Sequence, residues 1–131
     1  MTGRELSDKF RDLERRIAET KGDFVLFALF LREDVPDRWD LIVSAPWVGS
    51  SKREAVDYFV NQIKLQLGEE DLTNLARIIV VDPGDAAVQA LNQAVSIEHG
   101  GVEVRDSSFF GLPIKHAYII TSKRPSAPTP A

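Results

Sequence analysis

Two carboxylates, Asp82 and Asp85, are the first candidates for chemistry, because they follow the short apolar run Ile78 to Val81. An aspartate that ends a central parallel strand is well placed for metal binding or for acid–base catalysis. Aspartate is equally at home as the N-cap of a helix, where a carboxylate suits the helix dipole without any ligand. We favour a cap at Asp82 with Pro83 in the first helical position, and we keep both carboxylates as catalytic candidates if the protein is an enzyme.

The third catalytic candidate is His116, which follows Lys115 near the start of the run Ile114 to Thr121. Histidine titrates near neutral pH, so against a nearby aspartate it can act as a general base. Neighbouring residues of a strand point to opposite faces of the sheet, so only one of this pair can face a site at the sheet edge. A histidine within a strand is more often a structural group, and His116 is therefore a catalytic candidate only if the protein is an enzyme.

The segment Ser44 to Ala55, SAPWVGSSKREA, combines glycine, hydroxyls and two cations between an apolar run and a helix. The free N–H groups of a helix N-terminus attract anions, and Lys52 and Arg53 would assist Ser51 in binding a phosphate. The spacing of Ser51 and Glu54 also fits a capping box, in which the carboxylate occupies the place that a phosphate would take. The segment lacks the Walker A pattern of a P-loop, and we favour the capping interpretation.

The acidic turn Glu33 to Asp37 is followed by Asp40 and contains a Pro-Asp pair. Pro36-Asp37 resembles the Pro-Asp that metal-dependent nucleases of the restriction-enzyme type place before a strand. Those nucleases also carry an acidic residue and a lysine two positions apart on the next strand, and no lysine lies two positions after Asp40. Because the resemblance stops there, we interpret the segment as a solvated hairpin turn and expect no metal site in the chain.

Three aromatic residues, Trp47, Phe109 and Phe110, fall in or beside predicted loops. Large apolar side chains in loops either fold back onto the core or contact a partner. Aromatic residues are enriched at the hot spots of protein interfaces. Both interpretations stay open, and we treat the three residues as candidates for an interface.

Hydrophobic periodicity and the Gly and Pro signals predict the elements that must position these residues. Helical spacing predicts three main helices, whereas continuous or alternating apolar runs predict five strands. The predicted elements are a helix over 3–20, strands over 24–31 and 39–45, a helix over 51–67, one helical turn within 69–75, a strand over 77–82, a helix that opens at 82–85 and ends at 99–101, a strand over 102–106, a turn over 107–113 and a strand over 114–121. The order αββαβαββ describes one α/β domain over 1–122 with a mixed five-stranded sheet, followed by a flexible tail over 123–131.

Strand directions decide which candidates can meet. Strands joined by a helix are usually parallel, with a right-handed crossover, so the second, third and fourth strands should be parallel and the first and fifth antiparallel to them. Ligands of open α/β sheets bind at the carboxyl edge of the parallel strands. That edge should carry Ser51–Arg53, Asp82–Asp85 and His116. Glu98, His99 and the acidic turn should lie at the opposite edge, so the two histidines would not share a metal ion within one chain.

Composition limits the classes of partner. The chain has 131 residues, no cysteine and a formal net charge of −4 with both signs mixed. Missing cysteines exclude disulfides and thiolate chemistry and fit a reducing cytoplasm, and the lack of a basic stripe argues against nucleic acid. The longest apolar run, Phe24 to Leu31, is too short to cross a ~30 Å hydrocarbon layer as a helix, and the first ten residues lack the layout of a signal peptide. We therefore expect a cytoplasmic protein with no cofactor and no membrane or nucleic-acid partner.

Two functions of different class follow. The first is a non-enzymatic interaction or regulatory module that forms a homo-oligomer, or binds a protein partner, through a sheet edge or the aromatic loops. The second is a small hydrolase or phosphate-ester-binding enzyme at the carboxyl edge. It requires the side chains of Asp82, Asp85 and His116 to converge, with Lys52 or Arg53 beside them. The absence of a nucleotide or metal-binding motif favours the first.

Overall fold

A computed structural model describes residues 3–35, 37–49, 51–109 and 111–124 of the chain. Its elements are α1 (Gly3–Lys21), β1 (Leu26–Arg32), β2 (Trp39–Ser44), α2 (Lys52–Gln66), α3 (Glu69–Thr73), β3 (Leu75–Val80), α4 (Ala86–Ala94), β4 (Val102–Phe109) and β5 (Leu112–Ser122). The order of helices and strands is the predicted one, with α3 as the single predicted turn of helix. The α/β class with a mixed five-stranded sheet is therefore confirmed.

The five strands form one sheet in the order β3-β2-β1-β5-β4. β2 and β3 are parallel, β1 is antiparallel to its neighbours β2 and β5, and β5 is antiparallel to β4. β5 therefore runs in the direction of β2 and β3, and β4 runs against them, so the predicted directions of these two strands are wrong. We call the edge at which β2, β3 and β5 end the carboxyl edge.

The path of the chain around α4 explains the reversed directions. The Asn92 side chain donates to the Val25 carbonyl and to Ser122 Oγ, both at 3.0 Å and both at the carboxyl edge. Ile97 then exchanges two backbone hydrogen bonds of 2.9 and 2.8 Å with Ser122. The chain between β3 and β4 thus stays at the edge where β3 ends, and β4 has to run back from it. The predicted crossover would have needed this segment to return to the opposite edge first.

β1 lies at the centre of the sheet, and residues 24–30 are all buried, as the continuous apolar run predicts. We call the sheet face covered by α1 and α2 the two-helix face. Its core joins the predicted stripe of α1 to the side chains of Phe59 and Ile63 from α2. The stripe of α1 consists of Leu6, Phe10, Leu13 and Ile17. Each fully buried side chain of this size contributes about 1.5–3 kcal/mol by leaving water.

The other face, which we call the one-helix face, is covered by α4 and by the tip of the β4–β5 hairpin. Half-buried residues occur at the even positions Val102 and Val104 and then at the odd positions Ser107 and Phe109. The alternation of inward and outward residues therefore shifts by one position between them. The change coincides with Asp106, whose φ of 51° is unusual for a residue other than glycine. As a result the Phe109 ring stacks on Phe30 with centroids 5.0 Å apart. The predicted turn over 107–113 is therefore mostly strand.

Two predicted helix caps have different outcomes. Ser51 is the N-cap of α2, and its side chain accepts a hydrogen bond from the Glu54 N–H at 3.3 Å, so capping is confirmed there. Asp82 does not cap α4. The cap is Asp85, which accepts from the Ala87 N–H at 2.8 Å. The reason is a turn across Pro83 and Gly84, closed by the Asp85 N–H on the Asp82 carbonyl at 3.0 Å, which delays the helix by one turn.

Candidate functional site

The carboxyl edge collects the predicted carboxylates but not the predicted histidine. Asp82 and Asp85 lie there because β3 ends at this edge. His116 pairs with Leu31 and Arg105, far along β5 from Ser122, the residue with which that strand reaches the carboxyl edge. The structure therefore does not bring His116 together with the two aspartates. The predicted position of His116 was wrong because it rested on the wrong direction for β5.

The predicted anion-binding residues begin α2 at the carboxyl edge. Ser51 is engaged as the cap, and Lys52 and Arg53 are exposed in the first helical turn. Within the described residues neither cation forms an ion pair. A cation at a helix N-terminus is disfavoured by the dipole by only a few tenths of a kcal/mol at an exposed site, so this arrangement requires no ligand. The anion-binding role of the three residues stays a prediction.

His116 itself contacts Glu103 at the surface of the two-helix face. Its Nε2 lies 2.8 Å from Glu103 Oε1, and its ring lies beside those of Tyr118 and Trp39, with centroids 4.6 and 5.7 Å away. Arg105 reaches the same Glu103 oxygen at 2.7 Å. Hydrogen bonds from Arg105 and His116 lower the pKa of Glu103 below its ordinary value. This environment suits a structural histidine.

The histidine at the carboxyl edge is His99, which was predicted at the opposite edge. Its Nδ1 lies 2.5 Å from Oε2 of Glu14, a side chain with no solvent exposure. Thr121 Oγ1 donates to the other oxygen of Glu14 at 3.0 Å and accepts from the His99 N–H at 3.1 Å. His99 also has a φ of 51°, a sparsely populated conformation. Glu14 and Thr121 therefore hold His99 in a strained position.

Charged groups continue from the buried Glu14 and the half-buried His99 to the surface. Burial raises the pKa of Glu14 above its ordinary value, and the hydrogen bond with His99 opposes the rise. The second imidazole nitrogen of His99 lies 3.9 Å from Glu98 Oε2, and Glu98 forms an ion pair with Lys123. Lys123 Nζ also lies 3.0 Å from Asp23 Oδ2. Sequence reasoning missed this network because Glu14 and Thr121 are separated by most of the chain.

A shallow cleft of about 210 Å³ adjoins the network, between residues 23–25, 46–47 and 123–124. One wall is Trp47, whose Nε1–H donates to the carbonyls of Gly22 and Asp23 at 2.9 and 3.1 Å. The indole ring meets Phe24 edge-on, with centroids 5.4 Å apart. Trp47 is thus tied to the loop before β1 and half-buried on the two-helix face.

The predicted aromatic interface residues do not form one patch. Trp47 packs with the core of the two-helix face, whereas Phe109 packs on the one-helix face. Phe110 lies outside the described residues. The part that each residue plays at an interface stays a prediction, and the structure directs attention to the edges of the sheet instead.

The chain matches no protein-family model, no curated protein and no solved structure. Within residues 3–35, 37–49, 51–109 and 111–124, no three histidine or acidic side chains are arranged to hold a metal ion. None of the helices in those ranges is long and apolar enough to cross a bilayer.

The outer strand β4 has the features that prevent another strand from pairing with it. Three charged residues, Glu103, Arg105 and Asp106, lie in the middle of the strand. The positive φ at Asp106 interrupts its regular pleat. Charges and an irregular backbone are the devices by which natural proteins keep edge strands from adding further strands.

The opposite outer strand, β3, has fewer of these devices, since its register with β2 shifts only at its start, between the pairs Trp39–Leu75 and Asp40–Arg77. It reads Leu75-Ala-Arg-Ile-Ile-Val80 and has one charged residue. That residue, Arg77, is committed to the neighbouring strand, where its Nε lies 3.0 Å from Oδ2 of the buried Asp40. β3 is therefore an edge strand with mostly apolar side chains, and its register with β2 is regular from Arg77 to Val80.

The hydrogen-bonding groups of β3 alternate between β2 and the outside. The Val81 N–H donates to the Val43 carbonyl at 2.9 Å, and Val80 is the ladder partner of Val43. In a parallel ladder every second residue bonds to the neighbouring strand, so Ile79 and Val81 face β2. Ile78 and Val80 then direct their N–H and C=O groups outward, and in the described part of the chain no backbone hydrogen bond to another element satisfies them.

An apolar cleft of about 80 Å³ begins at β3 on the one-helix face. Its floor crosses β3, β2 and β1, and the tip of the β4–β5 hairpin forms a wall. The lining residues are Phe30, Asp40, Ile42, Arg77, Ile79, Val81, Phe109, Leu112 and Ile114. Pockets for drug-sized ligands are at least about 300 Å³, so this cleft suits a single apolar side chain.

Proposed function

We propose that this chain is a non-enzymatic interaction module that takes an extended segment of another chain onto the outer edge of β3. The observation that carries the proposal is the contrast between the two outer strands of one sheet. β4 has three charged residues and a positive φ near its middle, whereas β3 is mostly apolar and keeps a regular register with β2 from Arg77 to Val80. Proteins that bind by strand addition use main-chain hydrogen bonds along such an edge for affinity.

The proposal includes two kinds of partner. The homo-oligomer predicted from the sequence would pair β3 with β3 of a second copy, and a protein partner would supply a strand of its own. In both cases the outward N–H and C=O groups of Ile78 and Val80 gain partners. A regulatory role follows if the added strand changes what the module binds.

A test is NMR of the ¹⁵N-labelled chain, either at rising protein concentration or with the peptide acetyl-Thr-Val-Thr-Val-Thr-Val-Thr-amide. We expect the amide resonances of Ile78 and Val80 to shift and their hydrogen exchange to slow in at least one of the two titrations. Ile78→Pro removes an outward N–H and should abolish the response. Leu65→Lys is the control, because it alters an apolar side chain that is 80% exposed on α2, away from β3. If neither titration perturbs these two amides, the proposal fails.

A second candidate is the small hydrolase or phosphate-ester-binding enzyme at the carboxyl edge. The pair of buried Glu14 and His99 favours it, because a carboxylate on Nδ1 orients an imidazole for proton transfer. Lys123 and Arg124 line the adjoining cleft. Inorganic phosphate at concentrations on the order of 10 mM should then shift the His99 ring resonances in the wild type. An unchanged His99 ring would exclude the phosphate-binding site.

A further inference from the structure

The outer edge of β3 has unpaired acidic side chains at both of its ends. Glu69 and Glu70 are exposed in α3, the short helix that Asn74 alone separates from the start of β3. Asp82 and Asp85 are exposed just after the strand. Among the described residues none of these four carboxylates forms an ion pair, whereas the cation within the strand is already bound to Asp40. The edge is therefore apolar at its centre and negative at each end.

This charge pattern disfavours a second copy as the occupant. A closed dimer has a twofold axis, and pairing of β3 with itself across that axis is antiparallel. Such a pairing centred on the regular part of β3 places Ile78 opposite its own copy and Arg77 opposite Ile79 of the second copy. It brings the acidic end at Asp82 toward the acidic end at Glu70 of the other chain. Opposed like charges weaken an interface, so this pairing is repulsive at both ends.

The cleft on the one-helix face adds a second requirement. Alternate side chains of an added strand point to the same face of the sheet. Those on the one-helix face would lie beside Ile79 and Val81, which line the cleft. The cleft is apolar apart from Asp40 and Arg77, and Oδ2 of Asp40 is shared by Arg77 at 3.0 Å and by Arg32 at 2.9 Å. An aliphatic or aromatic side chain fits it better than a polar one.

We infer that the partner is an extended segment of a different protein, apolar at its centre and carrying Lys or Arg at both ends. The inference rests on the proposed function and adds the chemistry of the partner to it. Apolar residues on one side of the segment seat in the cleft, and its terminal cations lie near the carboxylates of α3 and of the 82–85 turn. Charge complementarity of this kind selects the partner and speeds association more than it adds affinity.

The test compares two synthetic peptides on the full chain by fluorescence anisotropy. Both contain Thr-Val-Thr-Val-Thr-Val-Thr, and one carries two Lys at each end where the other carries two Glu. We expect the lysine peptide to bind about tenfold more tightly at low salt, near 20 mM, and the difference to shrink to about twofold near 500 mM, because salt screens exposed charges. Self-association of the chain, in contrast, should strengthen as salt rises.

Matched variants separate the charge effect from folding. Glu70→Gln with Asp82→Asn should reduce the preference for the lysine peptide to about threefold or less, since half of the unpaired carboxylates are lost. Glu19→Gln with Asp57→Asn removes the same net charge from exposed positions on α1 and α2 and should leave the preference unchanged. Equal binding of the two peptides at the β3 edge overturns this inference but leaves the proposed function intact. If neither peptide nor a rise in protein concentration perturbs the amide resonances of Ile78 and Val80, both the inference and the proposed function are overturned. Dimerisation through β3 that weakens with salt overturns the inference alone and assigns the edge to a second copy.

Discussion

The pKa values of Glu14 and Glu103 move in opposite directions, because burial decides the first and hydrogen-bond partners decide the second. Burial dominates at Glu14, which raises the pKa although His99 and Thr121 both bond to the carboxylate. Hydrogen bonds from Arg105 and His116 dominate at the exposed Glu103 and lower the pKa. A residue that is acidic in the sequence is therefore either a cost or a gain to folding at neutral pH, depending on whether its charge is desolvated or paired.

Replacement of Glu14 by Gln should change how stability depends on pH. A raised pKa in the folded state means that the contribution of Glu14 is fully present below the unfolded pKa of about 4.5 and is lost as pH rises through the folded value. The free energy of unfolding of Glu14→Gln should therefore gain on that of the wild type as pH rises above about 4.5. Urea unfolding at several pH values measures this difference.

Glu103→Gln is the control of opposite sign. Its lowered pKa means that stability is present above about pH 4.5 and is lost as pH falls through the folded value. The free energy of unfolding of Glu103→Gln should fall relative to that of the wild type as pH rises from the folded pKa of Glu103 to about 4.5. If the stability differences of the two variants follow pH with the same sign, the assigned environments of the two glutamates are wrong.

Trp47→Phe should lower stability by about 1–2 kcal/mol, because it removes the indole N–H from the carbonyls of Gly22 and Asp23 while keeping an aromatic ring. Trp39→Phe is the matched control, since Trp39 is also half-buried but packs through its ring against Tyr118 and His116. Chemical denaturation compares the two. Equal losses at both positions would mean that the hydrogen bonds of Trp47 contribute nothing.

At the scale of the elements, β3 offers a test of its own hydrogen-bonding direction. Ile78→Pro should cost less stability than Ile79→Pro, by about 1–2 kcal/mol, because Ile78 directs its N–H outward and Ile79 directs it to β2. Both variants lose an isoleucine and gain a proline, so the difference isolates the ladder bond. Urea denaturation gives the two free energies. A larger loss for Ile78→Pro would reverse the assignment of the outer groups.

The one-residue shift in the alternation of inward and outward residues along β4 depends on Asp106. Asp106→Gly should stabilise the chain by up to about 1 kcal/mol, and Asp106→Val should destabilise it by about 1–2 kcal/mol, because only glycine accepts a positive φ without strain. At Arg105, the preceding residue on the same strand, the preference should reverse, with valine at least as stable as glycine. The thermal unfolding midpoints of the four variants test this. If glycine is more stable than valine at both positions, or less stable at both, Asp106 is not strained.

The elements themselves were predictable because their signals are local. The stripe of α1 from Leu6 to Ile17, the doubly apolar run of β1 and the cap at Ser51 each depend on residues within a few positions of one another. The direction of β4 was not predictable in this way, since it depends on the Asn92 side chain reaching Val25 and Ser122.

The candidate sites were less predictable than the fold for the same reason. His99 and Glu14 meet only because β5 runs beside β1 and carries Thr121 to the carboxyl edge. The residue type at position 99 does not reveal the positive φ of His99. The contrast between the outer strands was readable in part, since the charges of β4 are in the sequence, but which strands are outermost is known only from the sheet order.

At the scale of the whole molecule, net charge should govern self-association. The chain carries a formal charge of −4 at pH 7 and has a pI near 5.2. Net electrostatic repulsion between two copies should fall as pH approaches the pI, so light scattering should detect more dimer at about pH 5 than at pH 7. Ile78→Lys should suppress that increase. An increase that persists in this variant would place the association on another surface.

The order of the strands also has a consequence for synthesis of the protein. β1 pairs on one side with β2, which follows it at once, but on the other side with β5, so that Leu26 meets Ser122. A ribosome therefore releases the whole of β5 before the centre of the sheet can close. Until then the most apolar segment of the nascent chain has one edge open, which is the condition under which folding intermediates aggregate.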